Sequence, residues 1–261
     1  MKTLIKVKNS NYSKYEELLV RKDTLEKEAK GYLISYVRIF GELTAKVFQL
    51  KIECIRQKKA IALCQAAINK GEFPNLEKIK VNLDNQMSAY YEELSEMIYK
   101  NKIYKSLVSI PEIKVVKIKK LYHKLVKLLH PDLNPHTNNI PALVDLWDRT
   151  VTAYKANDLE ELEEIMVLAK KAIEKAGLGI IEIDIPNIEE KIAELEEKIA
   201  YIIKNDPYRY KDILNNPIVI EEKKDELRKD IKKHKKYKKE LDDVLNEMLG
   251  KEAKTLKWTI H

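Results

Sequence analysis

The sequence predicts an all-α chain: a helical module between two antiparallel helical-hairpin arms, with at most one short β ribbon. Three observations predict it. Charged residues make up 35% of the 261, and Leu, Ile, Ala, Lys and Glu dominate, which is the composition of long helices and coiled coils. Only 6 glycines and 8 prolines are present, too few for the turns of a β-sandwich or for a Gly-rich nucleotide-binding sheet. Apolar residues recur at steps of three and four, and a 44% apolar content excludes a disordered chain.

The first arm, residues 1–105, opens with a helical pattern from Tyr12 to Lys70. Leu33, Phe40, Val47, Cys54, Ile61 and Ile68 recur every seven residues. Tyr36, Leu43, Leu50 and Cys64 follow at the matching offset, with Gln57 as the polar intruder. Gly31 and Gly41 lie inside this seam and suggest a bend; Gly71 and Pro74 end it. A second helix follows from Glu77 to Asn101, with Leu83, Met87, Tyr90, Leu94 and Met97 on one stripe. The short break predicts an antiparallel hairpin, with homodimerisation through the first seam as the alternative. Because the second helix is the shorter, part of the first seam needs another partner.

Ser106 to Pro111 reads as a linker, and residues 106–176 as the central module. The remainder, 177–261, is the second arm. Gly177 and Gly179 close a helix, and Ile180 to Ile185 alternates like a strand that stops at Pro186. A lone strand needs a partner, from Leu4–Lys8 or from Thr255–Ile260. A helix capped by Asn187 carries Ile188, Ile192, Leu195, Ile199 and Ile202; a short helix covers Tyr208 to Asn215. Pro217 then starts a long helix to about Leu249, and the two long helices read as a second antiparallel hairpin.

The central module carries Lys117 to Pro135, KIKKLYHKLVKLLHPDLNP. Ile118, Leu121 and Leu125 form a core stripe, while lysines cover the remaining surface. From Ile113 to Asp132 six lysines stand against one acid, a local charge of +5. Pro131 stops the helix, because proline disfavours helical geometry at the residue before it. A polar loop follows, then a second helix marked by Leu143, Leu146, Trp147, Thr150, Ala153 and Tyr154.

This region resembles the J domain of DnaJ-type co-chaperones, in a divergent, bacterial-type form with coiled-coil flanks. Ile118, Lys119, Lys120, Tyr122, Lys124 and Leu125 meet the family's helix pattern before His130-Pro131-Asp132, and Asn134-Pro135 follows as in the family. Trp147, Ala153 and Tyr154 match its third helix, where Thr150 is atypical. The match covers about 45 residues. The family's first helix is not recognisable, with Ile103 to Val108 or the long helix before it as the stand-ins; its basic fourth helix is replaced by an acidic one after Asp158, and no Gly/Phe-rich linker or zinc region exists.

The resemblance implies a mechanism without catalytic residues or cofactors. A J domain docks on an ATP-bound, DnaK-type chaperone of the 70-kDa heat-shock family, accelerates its ATP hydrolysis and so locks it on a client. By motif position, Lys119, Lys120, Tyr122, Lys124, His130, Pro131, Asp132 and Asn134 would make the contacts. Ile118, Leu121, Leu125, Trp147, Ala153 and Tyr154 would form the core. The arms would choose unfolded clients, target the protein or dimerise it.

Other features read as structural. Cys54 and Cys64 are neither a disulfide framework nor a zinc pair, which suits a reduced, cytoplasmic setting. They are seam or core residues. His123, His130 and His136 lack the companions of a metal site. No secretory signal or membrane span is expected. Lys223 to Lys239 holds ten basic residues against three acids. Pairing with Glu189, Glu190, Glu194, Glu196 and Glu197 is the favoured reading. Binding to nucleic acid is disfavoured, since only Tyr237 is aromatic there. The runner-up function is a coiled-coil scaffold or nucleic-acid-binding protein whose J-like module is structural.

Overall fold

Long amphipathic patterns without interior proline produce long helices, and the first of them, α1, runs unbroken from Tyr12 to Ile68. The computed structural model describes residues 4–7, 11–107, 110–178, 180–183 and 185–256. α1 continues through both glycines. At Gly41 the absent side chain leaves room for Asn101, whose Oδ1 would lie 2.2 Å from a Cβ placed there. Gly71, at φ 75°, supplies the left-handed residue that ends the helix. Asn75 then starts α2 (Leu76–Ser106), its side chain accepting a bond from the Lys78 amide at 3.0 Å. α2 runs to Ser106, further than the expected Asn101. Residues 108 and 109 of the expected linker lie outside the described residues.

α3 (Glu112–Leu129) stops before His130-Pro131, as the proline requires. A 3-10 turn over Pro135–Asn139 leads to α4 (Pro141–Ala156), which has its proline in the first turn. Asn157 ends α4 at φ 59°, and Asp158 caps α5 (Leu159–Lys175) by accepting from the Glu161 amide at 3.0 Å. Strand β1 (Leu4–Val7) pairs in parallel with β2 (Ile180–Ile183), Leu4 opposite Ile180 and Val7 opposite Ile183. The N-terminal segment is therefore the strand's partner. Of the C-terminal candidate, Thr255 and Leu256 belong to a 3-10 helix, Gly250–Leu256, and the remainder lies outside the described residues. Helices α6 (Ile188–Lys204), α7 (Tyr210–Leu214) and α8 (Pro217–Leu249) follow, and the described residues are all-α apart from this two-stranded ribbon.

The chain divides into two compact units, Met1–Tyr32 with Val108–Tyr210 and Leu33–Leu107 with Lys211–His261. The boundaries do not follow chain order. In the first unit, Tyr15, Leu18 and Leu25 of α1 share one apolar core with Ile118, Leu125 and Leu129 of α3. Leu143 and Tyr154 of α4, Leu162 and Ile165 of α5, and Ile192 and Leu195 of α6 complete it. Within this unit the start of α1 therefore packs against the helices of the central module.

In the second unit α1 and α2 are antiparallel. Arg38 donates to the Tyr104 carbonyl at 2.6 Å, Lys105 meets Glu42, and Lys59 meets Gln86 at 2.7 Å. Ala45, Ile52, Met87 and Leu94 fill the interface. α8 lies along another face of α1: Lys238 pairs with Glu53 at 2.8 Å and Gln57 donates to Asp242 at 2.7 Å. Gln57 is polar because its partner is an α8 carboxylate. Cys54 and Cys64 are both buried and free. The part of the seam that α2 leaves over lies against α8, and the stretch before the seam, Tyr12–Tyr32, packs in the first unit.

The expected C-terminal hairpin of α6 and α8 is divided between the two units at Tyr210–Lys211. The cause is apolar: the buried residues of α6 join the first core, whereas Leu245 of α8 packs with Cys64 and Leu83. The charges follow. Glu196 pairs with Lys14 at 2.7 Å, Glu189 accepts from Asn11 at 3.3 Å, and Glu194 meets Lys198 at 3.5 Å. None of these is the expected pairing with the lysines of α8.

Candidate functional site

The site lies in the first unit, on α3 and the corner that follows it. α3 exists because Ile118, Tyr122, Leu125, Val126 and Leu129 form one buried stripe, with Leu121 half-buried beside them. α4 lies antiparallel to it. The Tyr122 ring stacks on Tyr154 at 3.8 Å with 9° between planes, and His130 meets the edge of Trp147 at 4.7 Å. Ala153 is buried, so the helices approach closely where the aromatic rings stack. Thr150 is also buried; its hydroxyl donates to the Leu146 carbonyl at 2.7 Å, which removes the cost of an unpaired hydroxyl. All six expected core residues therefore pack in this one core.

The eight expected contact residues divide into two groups. Lys120, Lys124 and Asp132 are exposed, and Lys119, His130 and Pro131 are half-buried. Tyr122, only 2% exposed, and Asn134 present little side chain to solvent. The Asn134 amide donates to the Leu128 carbonyl at 3.0 Å, which ties the loop back to the end of α3.

The His-Pro-Asp corner is internally bonded. The Asp132 amide donates to His130 Nδ1 at 3.1 Å. This bond assigns the proton to Nε2 in the neutral ring. Burial lowers the His130 pKa below the ordinary histidine value, against the raising effect of Asp132, which favours the same neutral form. The Asp132 carboxylate accepts from the Tyr15 hydroxyl at 3.0 Å. Burial, with the Asp132 charge, pushes the Tyr15 phenol well above its usual range, so it stays a donor.

Sequence reasoning missed the acidic face of α1 that lines α3. Glu16, 7% exposed, accepts from Lys127 at 2.8 Å and faces His123 Nε2 at 3.1 Å. Asp23 accepts from the Tyr122 hydroxyl at 2.6 Å, and Glu28 pairs with Lys119 at 2.9 Å. Lys27 lies 3.7 Å over the Tyr154 ring and donates to the Tyr154 carbonyl at 2.7 Å. Two lysines of the basic face are thus neutralised by α1, while Lys114, Lys117, Lys120 and Lys124 remain exposed. One sequence signal pointed to α1: Tyr12, Tyr15, Leu18, Leu19 and Leu25 are apolar at helical spacing before the seam begins.

Among the described residues, no group of three His, Cys, Asp or Glu side chains could hold a metal ion, and no helix is long and apolar enough to cross a membrane. The site presents exposed cations along α3 and, at its end, the Asp132 carboxylate held by Tyr15. No family model, no curated protein and no solved structure matches the chain.

Proposed function

We propose that this protein is a J-type co-chaperone that docks on a DnaK-type, ATP-dependent chaperone and stimulates its ATP hydrolysis. The observation that carries the reading is the exposed, oriented Asp132 carboxylate at the end of a helix whose free face is lysine. Lys120 and Lys124 steer the helix toward an acidic partner surface, and added salt weakens the encounter. Asp132 is available to an arginine of the partner for a charge-assisted bond. Pro131 and the neutral His130, braced on Trp147, fix the corner's shape. Tyr122 and Asn134 act from within, by holding α3 against α4 and the loop against α3. The protein performs no chemistry itself. Two free, buried cysteines suit a reduced cytoplasmic compartment. Client choice falls to the second unit.

The test is the ATPase rate of a DnaK-type chaperone with and without the full chain. Stimulation is expected from the wild type and is lost in Asp132→Asn and His130→Gln, while helix content and melting persist. Undiminished stimulation by these folded variants refutes the reading.

A second reading has its own support. Three carboxylates of α1 engage Lys119, Tyr122 and Lys127, so much of the motif's chemistry is satisfied inside the unit. On that reading the module is structural, and a folded wild type gives no stimulation at any concentration.

A further inference from the structure

The densest charge in the protein lies in the second unit, on α8. From Arg228 to Lys239, eight basic residues stand against the single acid Asp230, a local +7 that equals the formal charge of the whole chain. Arg228, Lys229, Lys232, Lys233, Lys235, Lys236 and Lys239 are all exposed. They occupy one side of the helix, and the opposite side carries Leu241 and Leu245 into the core. The acids on α8 take few of them: Arg228 pairs with Asp225 at 2.8 Å and Lys236 with Glu240 at 4.0 Å. Lys238 turns inward to Glu53. Among the described residues, no carboxylate lies within 4.0 Å of Lys229, Lys232, Lys233, Lys235 or Lys239. The Glu-rich helix expected to cover them, α6, packs in the other unit's core.

We infer that this face of α8 is a docking surface for the phosphate backbone of duplex nucleic acid. Like charges this dense repel one another and favour a polyanion. The stretch spans roughly 16 Å of helix, which runs beside about nine duplex phosphate charges at one per 1.7 Å. A membrane surface fits poorly, because an interfacial helix lays an apolar face into lipid and the apolar face of α8 is spent on the core. Single strands fit poorly too, since base stacking needs aromatic platforms and the face offers only Tyr237, 38% exposed. A protein partner fits less well because an interface needs an apolar centre and the exposed face from Arg228 to Lys239 has only Tyr237 to supply one. Recognition is of backbone charge, independent of base sequence.

Fluorescence anisotropy of the full chain with a labelled 20-base-pair duplex, in DNA and RNA arms, tests this. If about four lysines each displace one counterion, raising salt from 50 to 200 mM weakens binding by ~150-fold. The triple variant Lys232→Glu, Lys236→Glu, Lys239→Glu, folded by circular dichroism, is expected to bind at least about ten-fold more weakly with a shallower salt slope. Lys114→Glu, Lys117→Glu, Lys120→Glu on α3 leaves duplex binding unchanged. Unchanged binding in the α8 variant overturns the proposal. So does absence of salt-dependent binding, or preference for anionic vesicles or polyglutamate over duplex. The chaperone ATPase assay reads a different surface, so the two readings stand or fall separately.

Discussion

Removing the Tyr122 hydroxyl tests the central packing of the first unit. Tyr122→Phe keeps the ring stacked on Tyr154 and deletes only the bond to Asp23 at 2.6 Å. A hydrogen bond to a charged acceptor is worth about 1.5–3 kcal/mol. Asp23 keeps Lys22 at 3.4 Å and a side chain 24% exposed, so its stranded charge is partly compensated. The expected loss is therefore near the lower end, about 1.5 kcal/mol. Equilibrium urea unfolding at pH 7 reads it, followed by Trp147 fluorescence in a Trp258→Phe background so that one unit is monitored. At a slope of about 2–3 kcal/mol per molar, the midpoint falls by roughly 0.5–0.75 M. A double-mutant cycle with Asp23→Ala isolates the pair and should give a coupling of about 1 kcal/mol. A coupling within about 0.3 kcal/mol of zero refutes the bond. Because Tyr122 is buried, the Phe variant should retain chaperone stimulation if the proposed docking is right, whereas a surface-contact role would lose it.

Arg56 is 3% exposed and ties three segments of the second unit: it reaches Asp84 at 2.7 Å, the Tyr91 hydroxyl at 2.9 Å and the Leu256 carbonyl at 2.9 Å. Arg56→Ala should cost about 2 kcal/mol in denaturant stability, since its bonds are lost but Asp84 is left half-exposed rather than buried, with Arg56→Lys recovering only part because a point charge cannot span the fork; a loss under about 0.5 kcal/mol contradicts this network. Burial, with the Lys119 charge nearby, lowers Lys27 from 10.5 to about 8. The unfolded chain then binds more protons than the folded one between those values, so this group's contribution to stability rises with pH through that window. Solvent screening at a half-exposed site cuts the full ~3 kcal/mol to about 1, so wild type should gain that much relative to Lys27→Met between pH 7 and 10, and a parallel pH response in the two proteins contradicts it.

Helix positions and stops could be read from the chain because local chemistry fixes them. Pro131 ends α3, Gly71 ends α1, and Asn187 precedes α6. Partners could not be read in the same way. Periodicity says that a face is buried but not against what, and α1 is the clearest case. The heptad positions Cys54, Gln57 and Cys64 meet α8, whereas Ala45 and Ile52, off that register, meet α2. A helix with two partners buries two stripes, and a single seam describes only one. The site shows the same limit. Spacing named Ile118, Leu121 and Leu125 as the core stripe and the family motif suggested a contact role for Tyr122, whereas Tyr122 is buried with Ile118, Leu125, Val126 and Leu129 and Leu121 is half-buried. The carboxylates of Glu16, Asp23 and Glu28 meet residues of α3 that lie 91 to 107 positions further along the chain, a relation that no local charge count contains.

The register of Leu4 with Ile180 constrains how this chain is born. Neither unit can close its core before distant residues are made, since one needs Ile199 and the other Leu245. At 5–20 residues per second, about ten to forty seconds separate β1 from the strand that pairs with it. Over that interval α1 carries unmatched apolar stripes on its surface. Closure of each unit consequently waits for those distant residues, and until then α1 is itself the kind of exposed amphipathic helix that must be kept from aggregating.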